Sequence, residues 1–143
     1  MIAIALLTSH DRLVEDSLWA LTYLSDGDDE RIENILKLNL LKKIMEHAQS
    51  GKIRYSLPAV RIIANLLTGT DDHTETLIEE GVFNLISHHF ENTKNSAIIL
   101  DNLWCLSNIV VNHVFIADFF AHKIHNTFFE MIETVDDDVK CNI

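Results

Sequence analysis

The chain has little of what loops, linkers and covalent scaffolds are made from. One proline and four glycines in 143 residues exclude a flexible linker and a loop-rich all-β fold, which need many backbone-breaking residues. Two cysteines, Cys105 and Cys141, cannot make a disulfide framework, so a reducing compartment is expected. Basic residues are scarce: 11 Lys and Arg stand against 22 Asp and Glu, a formal net charge of −11. A surface that acidic favours basic partners over phosphate backbones, and no nucleic acid is expected. Long hydrophobic runs are missing too. Met1 to Leu7 is apolar but ends at Thr8 and lacks a basic flank. It reads as the end of a core helix, and no membrane contact is expected.

What the chain does have is a repeat. Hydrophobic residues make up 48% of it and charged residues 23%, the composition of one globular unit. Three segments align: LVEDSLWALTYLSDG from Leu13, YSLPAVRIIANLLTG from Tyr55 and AIILDNLWCLSNIVVN from Ala97. Trp19, Arg61 and Trp104 fall in register, 42 and 43 residues apart, and so do Tyr23, Asn65 and Asn108. The apolar positions match as Val14, Leu18, Leu21 and Leu24, then Ser56, Val60, Ile63 and Leu66, then Ile99, Leu103, Leu106 and Ile109. Steps of four, three and three are a helical stripe, without the alternation of a strand.

The intervening segments repeat as well, with Ile35 matching Leu77 and Asn39 matching Gly81. Asn and Gly tolerate the left-handed position that ends one helix before the next begins. A weaker third copy runs from His113 to Thr134, with Phe120 in the slot of Ile35 and Leu77. Pro58 is expected in the first turn of its helix, where a missing N–H costs little. Each unit is then two short helices and a longer third one over about 40–47 residues, the period of armadillo and HEAT arrays. The expected organisation is a single armadillo-repeat domain over 1–143: a partial repeat 1–27, full repeats 28–69 and 70–112, and a partial repeat 113–143. Both ends are expected to be incomplete, as in a piece of a longer solenoid.

Within each third helix one set of residues lies off the apolar stripe: Asp16, Trp19 and Tyr23; Pro58, Arg61 and Asn65; Asp101, Trp104 and Asn108. Residues at i, i+3 and i+7 share a face. Equivalent third helices in a stacked array lie about 8–10 Å apart, so these sets would form a ladder along a groove. An Asn amide both donates to and accepts from a peptide backbone, and indole faces take the stem and head of Lys or Arg. Asp16 and Asp101 add charge attraction. The chemistry points to an extended basic peptide.

Trp19 to Gly27 (WALTYLSDG), Leu57 to Arg61 (LPAVR) followed by Asn65 to Asp71 (NLLTGTD), and Trp104 to Ile109 (WCLSNI) together resemble importin-α (karyopherin-α), in the order of its fifth to seventh repeats. The resemblance covers nearly the whole chain and weakens after Val110. It implies an all-α, right-handed superhelical solenoid of about three armadillo repeats. It also implies an adaptor that carries proteins bearing basic nuclear localisation signals between cytoplasm and nucleus. By the same resemblance Trp104 and Asn108 start the minor signal-binding site. Arg61 and Asn65 occupy the neighbouring repeat, where the family also has Arg in place of Trp, and Trp19 and Tyr23 fall between the two sites. The basic segment that binds importin-β, the repeats of the major site and the eighth-repeat Trp have no counterpart in the 143 residues. Importin-β is therefore a partner only if a further N-terminal segment exists, and the isolated chain is expected to bind signal peptides weakly or not at all.

Plainer readings stand beside these. Trp19 and Trp104 at helical spacing also fit a core. Tyr23 replaces the more usual Asn and can simply pack. Arg61 has two uses of equal weight, an ion pair within the protein or contact with cargo. Asp16 and Asp101 lie near helix starts, where the macrodipole alone accounts for an acid. Asp26, Asp28, Asp29 and Glu30 cap and solvate the helix starting near Asp29, and Asp136, Asp137 and Asp138 read as solvated loop. The eight His, including His88, His89, His122 and His125, show no metal-ligand spacing, so they read as surface or interfacial and no metal or cofactor is expected. Cys105 reads as a small buried hydrophobe. No nucleophile elbow, P-loop or triad pattern points to an enzyme, and no catalytic residue is assigned. The alternative to an adaptor is a structural armadillo scaffold that binds other proteins through its ends.

Overall fold

The computed structural model describes Leu6, Thr8 and residues 10–134. The rest of the N-terminal apolar run, the Asp136–Asp138 run and Cys141 lie outside the described residues. In order, the helices are α1 (Asp11–Ser25), α2 (Asp29–Leu36), α3 (Leu41–Ala48), α4 (Ile53–Leu66), α5 (Asp71–Glu79), α6 (Val82–Asn92), α7 (Ser96–Val111), α8 (Ile116–Ala121) and α9 (Ile124–Thr134), with a 3-10 turn at His113–Phe115 before α8. Every regular element among the described residues is helical. No single one of these helices is long and apolar enough to cross a membrane.

Local signals start the helices. The Asp28 carboxylate accepts from the Arg31 N–H at 3.1 Å and the Asn95 side chain from the Ile98 N–H at 3.2 Å, each satisfying a donor that the first turn leaves free. At α5 the Thr70 N–H donates to His73 Nδ1 at 3.1 Å. The left-handed slot occurs three times, at Asn39 (φ 54°), Gly81 (φ 92°) and Lys123 (φ 56°). These positions are 42 residues apart in both steps. Each lets the chain leave a first helix and enter a second without a longer loop.

The third left-handed residue corrects the register of the last copy. An offset of 42 from Leu77 lands on Phe119, and Phe119 is the ring that packs against the core. Phe120, expected in that slot, is 56% exposed. Sequence alone misaligned the pair because adjacent phenylalanines satisfy the same pattern one residue apart.

The third helices α1, α4 and α7 stack side by side, with α4 in the middle against both neighbours and against α3. That position explains why most of α4 is buried: Ala59, Val60, Ile62, Ile63, Ala64 and Leu66 have no exposed surface. α4 also begins earlier than expected. Pro58 is its sixth residue, a turn further in than the sequence suggests, and removes the bond that would go to the Arg54 carbonyl. The extra turn is recruited by tertiary contacts: the Tyr55 hydroxyl donates to Asp11 at 2.6 Å, and the Ser56 hydroxyl to the His47 carbonyl at 3.4 Å. Leu24 departs from its stripe as well. It is 51% exposed, whereas its counterparts Leu66 and Ile109 are buried under the third helix that precedes each of them. Among the described residues α1 has no such predecessor.

Candidate functional site

The ladder face begins with a bridge between helices. From α4, Arg61 reaches both neighbours. Its Nε and Nη2 donate to the two oxygens of Asp101 on α7, at 3.2 and 3.4 Å, and its guanidinium carbon lies 5.9 Å from the centre of the Trp19 ring on α1. The fork matches a carboxylate, and 5.9 Å is at the limit of cation–π attraction. Asp101 is only 7% exposed. Burial raises its carboxyl above the usual range, and the Arg61 charge and hydrogen bonds act against that shift.

The carboxamides also face their neighbours. Asn65 is buried, and its amide nitrogen donates to the Thr22 carbonyl at 3.1 Å and the Ser25 hydroxyl at 3.0 Å. Asn108, half-buried, donates to the Ala64 carbonyl at 3.4 Å. These are equivalent bonds one repeat apart, each reaching back to the preceding third helix. In the slot of the same series Tyr23 stands 75% exposed.

The two indoles differ. Trp104 is 46% exposed, so it is not a core residue, and among the described residues no cation lies over it. Trp19 is half-buried beneath Arg61. Asp16 is exposed, with Arg12 at 3.9 Å one turn away, a pair that water screens almost entirely. Asp16 and Asp101 are each the sixth residue of their helix, beyond the first turn where the macrodipole acts. Arg61, Asp101 and Trp19 are thus brought together, Asn65 is turned inward, and Trp104, Asn108 and Tyr23 remain reachable.

Several interhelical hydrogen bonds were not assigned from sequence, which read the histidines only as surface or interfacial. His89 is buried between repeats. Its Nε2–H donates to the Ala48 carbonyl at 3.0 Å, and its Nδ1 accepts from the Asn102 amide at 3.0 Å. Burial holds its pKa below the ordinary imidazole value. His47, 42 residues earlier, makes the equivalent bond to the Leu6 carbonyl at 3.3 Å and is likewise held low by burial. That shared offset was the signal available in the sequence. Nε2–H of His73 donates to Glu33 on α2 at 3.0 Å, and with Lys37 this hydrogen bond lowers the Glu33 carboxyl. Among the described residues no group of His, Cys, Asp and Glu is arranged to hold a metal. Burial pushes the Cys105 thiol up, as expected of an inert packed cysteine.

Helix triplets at a 42-residue period, three stacked third helices and hydrogen bonds handed from one repeat to the next define an armadillo-repeat solenoid. A designed armadillo repeat protein in complex with peptide (KR)4 superposes with a TM-score of 0.90 at 17% identity, covering 99% of this chain and 59% of that one. A second designed armadillo repeat protein gives 0.86 at 16% identity, over 96% of this chain and 58% of the other; at these identities the likeness shows the fold alone. No family model matches the chain. Its sequence relatives are importin-α subunits, which it resembles over about 70% of its length. It is 33% identical over 98 residues to importin subunit alpha-2 of Caenorhabditis elegans, 68% of this chain and 18% of that protein. It is 28% identical over 107 residues to importin subunit alpha-1a of Oryza sativa subsp. japonica, 74% of this chain and 20% of that protein. The chain spans about a fifth of the length of these curated relatives.

Proposed function

We propose that this chain, a single armadillo domain with full repeats at 28–69 and 70–112, is an adaptor segment for nuclear import. It works in the cytoplasm and nucleus by holding the basic localisation signals of cargo proteins. The exposed indole of Trp104 carries the reading. A large aromatic off the apolar stripe, half open to solvent and one turn before Asn108, contributes little to the core and presents a bare π face to a Lys or Arg side chain. The (KR)4 peptide bound by the structurally similar designed protein is the ligand chemistry this face suits.

Recognition is passive and involves no chemical step. An extended strand advances about 3.3 Å per residue, so one repeat spans about three residues of cargo. Trp104 and Asn108 form the open subsite, Trp19, Tyr23 and Asp16 a second patch, and Arg61, Asn65 and Asp101 the wall between them. The net charge of −11 steers a cationic strand inward. Screening shortens from about 10 Å at 0.1 M salt to about 3 Å at 1 M, so the interaction weakens as salt rises.

Titration of the purified chain with a Lys/Arg-rich signal peptide, followed by Trp fluorescence, tests this. The expected result is weak, salt-sensitive quenching that Trp104→Ala and Asn108→Ala abolish. Quenching that survives both substitutions or ignores salt, or no response at about 1 mM peptide together with self-association of the chain, refutes the adaptor reading and favours the structural scaffold.

A further inference from the structure

We propose that Arg61 is a built-in ligand: it fills a cation subsite formed by the Trp19 indole and the Asp101 carboxylate. By filling it, Arg61 restricts foreign Lys and Arg side chains to the Trp104 end of the groove. The inference rests on the groove reading for its biological meaning, but its geometry stands on its own.

Three observations carry it. First, the site has the two elements a guanidinium needs. A carboxylate accepts its fork at 3.2 and 3.4 Å, and an aromatic ring lies 5.9 Å from its carbon. These elements come from different helices, α7 and α1, and only a group placed between them meets both. Second, Asp101 is 7% exposed and among the described residues Arg61 is the only cation on it. A buried carboxylate without a counter-ion is costly, so the pocket demands an occupant. Third, Arg61 is itself 38% exposed on its side chain, so its head lies at the surface from which a peptide would arrive. Its backbone is anchored independently by Val60, Ile62 and Ile63, all without exposed surface. Emptying the pocket therefore leaves the helix in place.

The two indoles of the series, two repeats apart, make the contrast sharp. Trp104 has no cation over its ring among the described residues, and Trp19 has Arg61. Two indoles of the same series are thus in opposite states, one open and one occupied by the chain itself. A purely structural ion pair would hold the helices together but would not leave behind a pocket selective for small cations.

Arg61→Ala in the full chain, titrated with methylguanidinium at constant ionic strength, separates these cases. The expected result is a saturable change in Trp fluorescence with a rise in Tm. In a Trp104→Ala background, which removes the open indole, it should be absent when Arg61 is in place and fills the pocket, and absent from Arg61→Ala/Asp101→Asn, whose pocket lacks its charge. An octapeptide of alternating Lys and Arg should bind Arg61→Ala about tenfold more tightly than wild type, the worth of one added cation subsite. If Arg61→Ala does not fold, Arg61→Met keeps the aliphatic stem and gives the same readouts. No saturable methylguanidinium response in the variant, or the same response with Arg61 in place in the Trp104→Ala background, overturns the proposal. Methylguanidinium binding without peptide binding to either protein upholds the subsite and defeats the groove reading. Trp104-dependent peptide binding without a methylguanidinium response does the reverse.

Discussion

Asn65→Ala distinguishes a carboxamide that builds the solenoid from one that greets a ligand. The substitution deletes two donors from a site 7% exposed, those to the Thr22 carbonyl at 3.1 Å and the Ser25 hydroxyl at 3.0 Å. The abandoned acceptors are not stranded, because the Ser25 hydroxyl still donates to the Thr22 carbonyl at 2.9 Å. The loss is therefore close to two ordinary hydrogen bonds at about 0.5–1.5 kcal/mol each, about 2 kcal/mol in all. For a chain of this size that lowers Tm by about 5–8 °C. The equivalent Asn108→Ala removes a single bond of 3.4 Å from a half-buried side chain and should cost about 0.5 kcal/mol or less. Urea unfolding followed by far-UV circular dichroism measures both, provided the m-value is unchanged. Equal losses for the two variants, or a loss below about 0.5 kcal/mol for Asn65→Ala, would refute the division between an inward and an outward amide.

Acid should loosen the stack through its histidines. Burial holds His89 and His47 below the ordinary imidazole value of about 6.5, so the folded chain declines protons that the unfolded chain takes. Their contribution is complete above about pH 6.5 and is lost as pH falls below it. Urea midpoints at pH 7.5 and 5.5 should differ in wild type and converge in His89→Gln/His47→Gln; an unchanged wild-type midpoint would contradict the burial argument. Gly81→Ala places a side chain at φ 92° in ordinary contact with the Asn84 amide at 3.7 Å and without a clash, so its cost of about 1–2 kcal/mol is backbone strain. Lys123→Gly, at φ 56°, should gain about 1 kcal/mol, and thermal melts check both signs. Gly69→Ala would press a methyl against His73 Nδ1 and the Ile32 side chain. It should displace the His73–Glu33 bond and lower stability by about 1–3 kcal/mol, with the Glu33 carboxyl moving back toward its ordinary value by NMR titration.

The 42-residue period, the three helical stripes, the cap at Asp28 and the left-handed slots at Asn39 and Gly81 were all legible in the sequence by itself. So was the face that carries Trp19, Arg61 and Trp104. Each of these depends on spacing within one helix or one turn, where geometry follows directly from residue order. Tertiary structure alone decided that Asn65 turns inward while Trp104 stays open, that Arg61 pairs with the buried carboxylate of Asp101, and that Phe119 and not Phe120 enters the core. Those outcomes depend on the stagger between neighbouring helices. The bonds that join repeats span 40 residues for Arg61 to Asp101, 41 for His89 to Ala48, 43 for Asn65 to Thr22 and 44 for Asn108 to Ala64. A constant repeat period cannot specify partners at varying offsets, because which atoms meet is set by how two helices slide past each other as their apolar faces pack.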